Sequence, residues 1–182
     1  MGWGAGAPPS VDASAIDAGG DHVCAIQAGS GAVVGWGQSD VGGTNAPASV
    51  NSSAGTESAI TTGGYHSCAI QTGSAAVICR GSNAQGQASP PASVSGSGGT
   101  ASAIVAGSNH NCAIQAGSGA VVCWGYDPYG QTEPPDSVNG SAGAAVAIAT
   151  GGQHSCAIQA ETGAVVCWGN DSSVGASTPP AS

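Results

Sequence analysis

The sequence predicts an all-β fold, a β-propeller built from four 44-residue blades of four strands each. Three observations predict it. Equivalent residues return at a step of 44 along a chain of 182 residues. The segments between them carry the alternation or β-branched clustering of short strands. Each such segment is bounded by Gly or Pro. Repetition of this length marks a repeat architecture, and four short strands in roughly 40–45 residues make one propeller blade. A parallel β-helix uses a shorter coil, and helical solenoids need a 3.6-residue periodicity that is missing here.

The step is kept by His22, His66, His110 and His154, by Cys24, Cys68, Cys112 and Cys156, and by Gly37, Gly81, Gly125 and Gly169. The third unit shows the elements in order. Ser102 to Val105 is a short apolar run that stops before Gly107. Asn111 to Gln115 alternates polar and apolar residues, as a half-buried strand does. Ala116-Gly117-Ser118-Gly119 is turn chemistry, and Ala120 to Trp124 is a β-branched run closed by Gly125. Pro134-Pro135-Asp136-Ser137-Val138 reads as an extended fourth strand, on an edge where missing N–H groups cost nothing. The expected organisation is one repeat domain over residues 1–182, with repeat cores at 13–37, 57–81, 101–125 and 145–169.

Composition narrows the function. Charged residues are 6% of the chain, against about 25% in an ordinary domain. There is no Lys, Arg80 is the one cation, and the net charge is −9. Nucleic acid and anionic membrane surfaces both need a cationic footprint that one arginine does not supply. No apolar run reaches the 18 or so residues of a membrane span, and Met1-Gly2-Trp3 lacks the basic start and apolar core of a signal peptide. Phe is absent and Trp occurs four times, so the core must come from Val, Ile and Ala. Such a thin core needs covalent support.

The cysteines are placed to give it. A four-residue loop at Thr72–Ala75 sets Cys68 directly opposite Cys79. The same register faces Cys112 with Cys123 and Cys156 with Cys167. Facing strand positions suit the short Cβ separation of a disulfide, whereas the ten-residue gap is not the short knuckle of a zinc site. Three disulfides imply an oxidising compartment. In the first unit Gly35 stands at the second cysteine position, so Cys24 is expected as a buried thiol, with an intermolecular link as the alternative.

The string G-G-x-H-x-C-A-I-Q-x-G-x-x-x-V-x-C-W-G resembles the regulator of chromosome condensation repeat, in the secreted bacterial version with two cysteines per repeat. It occupies Gly63–Gly81, Gly107–Gly125 and Gly151–Gly169, with a weaker copy at Gly19–Gly37. The resemblance implies a propeller, commonly of seven blades, that acts through its faces. One branch of the family exchanges guanine nucleotides on a small GTPase while bound to chromatin; another inhibits β-lactamases. The basic surfaces of the chromatin-bound branch are missing here, and Arg80 replaces a repeat Trp. The resemblance also implies that each His ties together the backbone of its own blade, with four imidazoles converging on an axial metal as the rival reading.

Ala7-Pro8-Pro9-Ser10-Val11, Ala46–Val50, Pro90–Val94 and Pro179-Pro180-Ala181-Ser182 repeat the outer segment seen at Pro134–Val138, giving five outer segments for four inner sets. The expectation is either a longer array or end segments that pair between chains, as an eight-bladed ring of two chains or a filament. No nucleophile, base and orienting group assemble outside repeat positions, so neither catalysis nor a cofactor is expected. Trp36, Trp124 and Trp168 share one position and are expected to pack between blades. Tyr126-Asp127-Pro128-Tyr129 differs from the matching loops, which makes Tyr126, Asp127 and Tyr129 the candidate binding loop. Asn51, Asn139 and Asn170 head N-glycosylation sequons. Together these features point to an extracellular or cell-surface structural or adhesive module that self-assembles. The alternative is a discrete binding module for a protein or glycan, lectin-like or inhibitory.

Overall fold

The computed structural model describes residues 10–38 and 57–171. They form twelve strands in four separate three-stranded antiparallel sheets. The first sheet holds β1 (Ala13–Ala18), β2 (His22–Gln27) and β3 (Val33–Gly37). The second holds β4 (Glu57–Thr62), β5 (His66–Gln71) and β6 (Val77–Gly81). The third holds β7 (Ala101–Ala106), β8 (His110–Gln115) and β9 (Val121–Gly125), and the fourth β10 (Ala145–Thr150), β11 (His154–Gln159) and β12 (Val165–Gly169). No helix occurs among the described residues.

Each sheet has one register. The middle strand pairs its His with the Gly that ends the third strand, as in His110 with Gly125, and places Cys112 opposite Cys123. The first strand is joined through a bulge near its start, between Ala101 and Ala103 in the third sheet. The closing glycine cannot be replaced cheaply. At Gly125 φ is +111°, and a Cβ would stand 2.6 Å from the Asn109 carbonyl oxygen. That close approach lets Tyr126 N–H bond the same carbonyl at 2.9 Å, turning the chain out of the sheet.

The expected fourth strand is not formed as a strand. The N–H groups of Val138 and Asn139 both donate to the Pro135 carbonyl, at 3.0 and 3.1 Å, so the segment curls into a turn. The two prolines have no N–H for a ladder and hold φ near −65°. What remains of edge pairing is one bond, from Val121 N–H to the Val138 carbonyl at 2.8 Å, repeated between Val77 and Val94. Val94 and Val138 are fully buried, so the segment serves as a hydrophobic plug. The outer segments Ala7–Val11, Ala46–Val50 and Pro179–Ser182 lie wholly or mostly outside the described residues.

The core sits between sheets. One cluster joins Cys68, Ile70, Val77 and Val94 of the second repeat to Ala101, Ile104, Ala113 and Trp124 of the third. The next joins Ile114, Val121 and Val138 to Ala145, Ala157 and Trp168 of the fourth. The smallest, Cys24, Ile26 and Val33, meets Ile60 of the second repeat. First strands line up in sequence, β1 against β4, β4 against β7 and β7 against β10.

Candidate functional site: the funnel face

All four sheets turn the same end toward a shallow funnel of about 230 Å³. Its walls come from the ends of the first strands and the following loops, including Gly19, Gly20, Gly63, Gly64, Gly107, Ser108, Gly151 and Gly152. Glycine is used because neighbouring loops touch through backbone. Gly20 N–H bonds the Gly63 carbonyl at 3.2 Å, Gly64 N–H the Ser108 carbonyl at 2.9 Å and Ser108 N–H the Gly152 carbonyl at 3.3 Å.

The histidines lie just behind this wall, and their role corrects the expectation. Three of them, His22, His66 and His110, reach with Nε2 into the next repeat rather than to the backbone of their own. His22 Nε2 lies 2.8 Å from Ser67 Oγ, His66 Nε2 2.8 Å from Asn111 Oδ1 and His110 Nε2 3.0 Å from Ser155 Oγ. Their own repeat supplies a glycine against the ring, Gly63 for His66 and Gly107 for His110. The receiving residue is anchored in turn: Asn111 Nδ2 donates to the Gln87 carbonyl at 2.8 Å, and Ser155 Oγ to the Gln131 carbonyl at 3.0 Å. Burial lowers the pKa of His22 and His66 and brings that of His110 to about 4. These rings are therefore neutral at physiological pH, which suits a hydrogen bond inside a dry seam. Among the described residues no group of three or more His, Cys, Asp or Glu is gathered as a metal would need.

Trp124 and Trp168 bridge two of these seams. Trp124 Nε1 donates to the Gln87 carbonyl and Trp168 Nε1 to the Gln131 carbonyl, both at 3.0 Å, and both rings are buried. Arg80, at the matching position of the second repeat, is exposed. The disulfides Cys68–Cys79, Cys112–Cys123 and Cys156–Cys167 are formed. Cys24 is buried with its Sγ 3.4 Å from Ser67 Oγ, and burial pushes its thiol pKa up, which favours the protonated form.

Tyr126, Asp127 and Tyr129 lie together in the loop after β9, at the funnel end. Asp127 Oδ1 accepts from Thr132 N–H at 2.8 Å, and Tyr129 N–H donates to Gln131 Oε1 at 3.0 Å, so the loop is held by its own bonds. Tyr129 is 46% exposed. Sequence reasoning missed Tyr65, on the same end in the β4–β5 loop and 48% exposed. Its signal was available: the matching positions hold Asp21, Asn109 and Gln153. Asn139 sits at the opposite end, where Nδ2 donates to the Pro134 carbonyl and Asp136 Oδ1. Asn170 Nδ2 donates to Gln153 Oε1 at 2.7 Å, beside the funnel. Asn51 lies outside the described residues.

Residues 101–131 and 145–175 match the Regulator of chromosome condensation (RCC1) repeat. Two of the four units thus match this repeat by sequence. No curated protein matches the chain. Solved propellers do. The CRINKLY WD40 ectodomain of the Arabidopsis thaliana receptor kinase ACR4 is 25% identical with a TM-score of 0.67, over 85% of this chain and 49% of that one. The ectodomain of the Physcomitrella patens receptor kinase CR4 is 26% identical with a TM-score of 0.72, over 90% of this chain and 43% of that one. Yeast RCC1 (Prp20), solved bound to Kap60, shares the fold at 16% identity and a TM-score of 0.67, over 93% of this chain and 46% of that one. The chain spans less than half the length of each of these structures.

Proposed function

We propose that this chain is an extracellular, non-catalytic structural or adhesive module of four blades that assembles end to end with copies of itself. The observation that carries this reading is the seam between repeats, which recurs three times with one repeat's histidine bonded into the next. Ile and Val at one pair of positions are 4% and 2% exposed in the third repeat (Ile114, Val121), covered by the fourth. In the fourth repeat the same positions, Ile158 and Val165, are 38% and 50% exposed. At the other end Ala13 is exposed, whereas Ala101 and Ala145, its equivalents, are buried against the preceding repeat. Each seam joins one face of a repeat to a different face of the next, and the same heterologous contact made between copies would extend the row. Two copies close one eight-bladed ring, and continued pairing makes a filament. Val23 stands where Ser67, Asn111 and Ser155 meet a histidine, so the joint between copies carries one hydrogen bond fewer than the internal seams.

The three disulfides and the likeness to two receptor ectodomains support the extracellular placement. The cysteine pairs also fit the secreted bacterial version of the repeat. The seam bonds of His22, His66 and His110 support a role without catalysis, since they engage three of the four imidazoles in joining repeats. N-glycans at Asn51, Asn139 and Asn170 belong to this reading where the source glycosylates. A second reading, a discrete ligand-binding propeller, is favoured by the exposed Tyr126–Tyr129 loop.

Native mass spectrometry under non-reducing conditions tests assembly. A dimer or longer series that dissociates in Val165→Asp supports the proposal. A strictly monomeric chain at tens of micromolar defeats self-assembly and leaves the second reading.

A further inference from the structure

Every tyrosine of the chain stands at the funnel end, at positions where the repeat does not require one. Tyr65 replaces Asp21, Asn109 and Gln153, Tyr126 replaces Gln38, Ser82 and Asn170, and Tyr129 replaces Gln85 and Ser173. Packing does not account for them either, because Tyr65 and Tyr129 are nearly half exposed. Two backbone bonds bring the residues near each other across the seam of the second and third repeats. Gly64 N–H bonds the Ser108 carbonyl, and the adjoining Asn109 carbonyl receives Tyr126 N–H. Arg80, the one cation, lies on β6 opposite Ser67, on the side of the first repeat, and leaves this seam without a positive charge. The turns at the opposite end, such as Ala116-Gly117-Ser118 and Ala160-Glu161-Thr162, have no aromatic residue.

We infer that this face of the second and third repeats binds an uncharged carbohydrate, with Tyr65, Tyr126 and Tyr129 stacking on sugar rings and Asp127 bonding their hydroxyls. The inference rests on the binding-surface reading above. A pyranose has a flat apolar face and a rim of hydroxyl groups. Tyrosine matches both, with a rigid ring of low conformational entropy and one hydroxyl. The loop that carries two of the three rings is already fixed by Asp127 and Gln131, so little ordering is needed on binding. A net charge of −9 with a single arginine repels polyanions, which selects a neutral ligand. The glycine funnel beside the rings leaves backbone close to the surface and room for further sugar units.

The test is titration of the intact, oxidised chain with cellohexaose, mannohexaose and chitohexaose, with polygalacturonate as the charged control. Binding of at least one neutral hexasaccharide is expected, weakened by about fivefold to tenfold in Tyr65→Ala or Tyr129→Ala. Polygalacturonate binds no more tightly than background. Thr162→Ala, at the far end, leaves binding unchanged, and circular dichroism of each variant confirms folding. Three neutral probes that all fail to bind, or binding that the tyrosine variants do not weaken, overturn the inference. So does capture of a protein partner that Tyr65→Ala abolishes while no sugar binds. A chain that self-associates without binding sugar defeats this inference alone, and a monomer that binds sugar defeats only the assembly reading.

Discussion

The seam between the first and second repeats and the seam between the second and third use the same backbone but different chemistry. The later seam holds a disulfide on each side, a buried Trp124 bonded to Gln87, and Asn111 joined to both His66 and Gln87. The earlier seam has Gly35 opposite Cys24, Arg80 in place of the Trp and Glu57 in place of a core Ala. Glu57 is buried and neither carboxylate oxygen has a hydrogen-bond partner. Identical strand geometry thus supports joints of unequal strength, and the difference lies in four or five side chains.

The two seams differ most at the tryptophan. Trp124→Ala is expected to cost about 3–5 kcal/mol through the cavity left in the seam. Arg80→Ala, on an exposed side chain, should fall within about 0.5 kcal/mol of zero; urea unfolding of both variants checks this. Equal losses would mean that the two seams are equivalent.

Gly35→Cys should then raise the weak seam toward the strong one. Gly35 pairs with Cys24 as Cys123 pairs with Cys112, so a fourth disulfide closes a loop of the same length, adding about 3 kcal/mol under oxidising conditions. Thermal unfolding with and without a reductant reads the gain, which must vanish on reduction.

Glu57 makes the earlier seam respond to pH. Burial raises its pKa from 4.5 to about 7, so over this window the folded chain keeps a proton that the unfolded chain has released. Stability supplied by the neutral carboxyl is therefore full below about pH 4.5 and is lost as pH rises toward 7. Glu57→Ala, which restores the residue found at Ala13, Ala101 and Ala145, is expected to stabilise by about 1–3 kcal/mol at pH 8 and by less at pH 5. Midpoints at the two pH values that differ equally in both proteins would remove Glu57 from the account.

The smallest effect is expected at the end of the array. His66→Ala opens a buried seam bond and should cost about 1–3 kcal/mol. His154, half-buried on the fourth repeat, should cost well under half as much when changed to Ala.

Much of this was legible in the sequence. Strand positions and cysteine pairing follow from a register that repeats every 44 residues, because a hairpin with a fixed loop admits few alternatives. The fourth strand misled because an apolar Val after two prolines reads as extended, whereas the prolines remove the ladder and turn the chain back. The histidines misled because their partners are one residue past a full repeat. The signal was a Ser or Asn directly after each of His66, His110 and His154, with Val23 as the exception. Tyr65 was passed over because a single exposed aromatic carries little information until the fold sets it beside Tyr126 and Tyr129.

The placement of the core between sheets governs how stability grows with length. A repeat alone has almost nothing to bury, so the folding free energy counts junctions, as in a one-dimensional nearest-neighbour chain. The four described repeats share three junctions, and melting is expected to begin wherever a repeat has one neighbour rather than two. Joining the ends adds a junction without adding a residue, and it also abolishes the positions from which fraying starts. Closure is therefore the one change that strengthens every repeat at once.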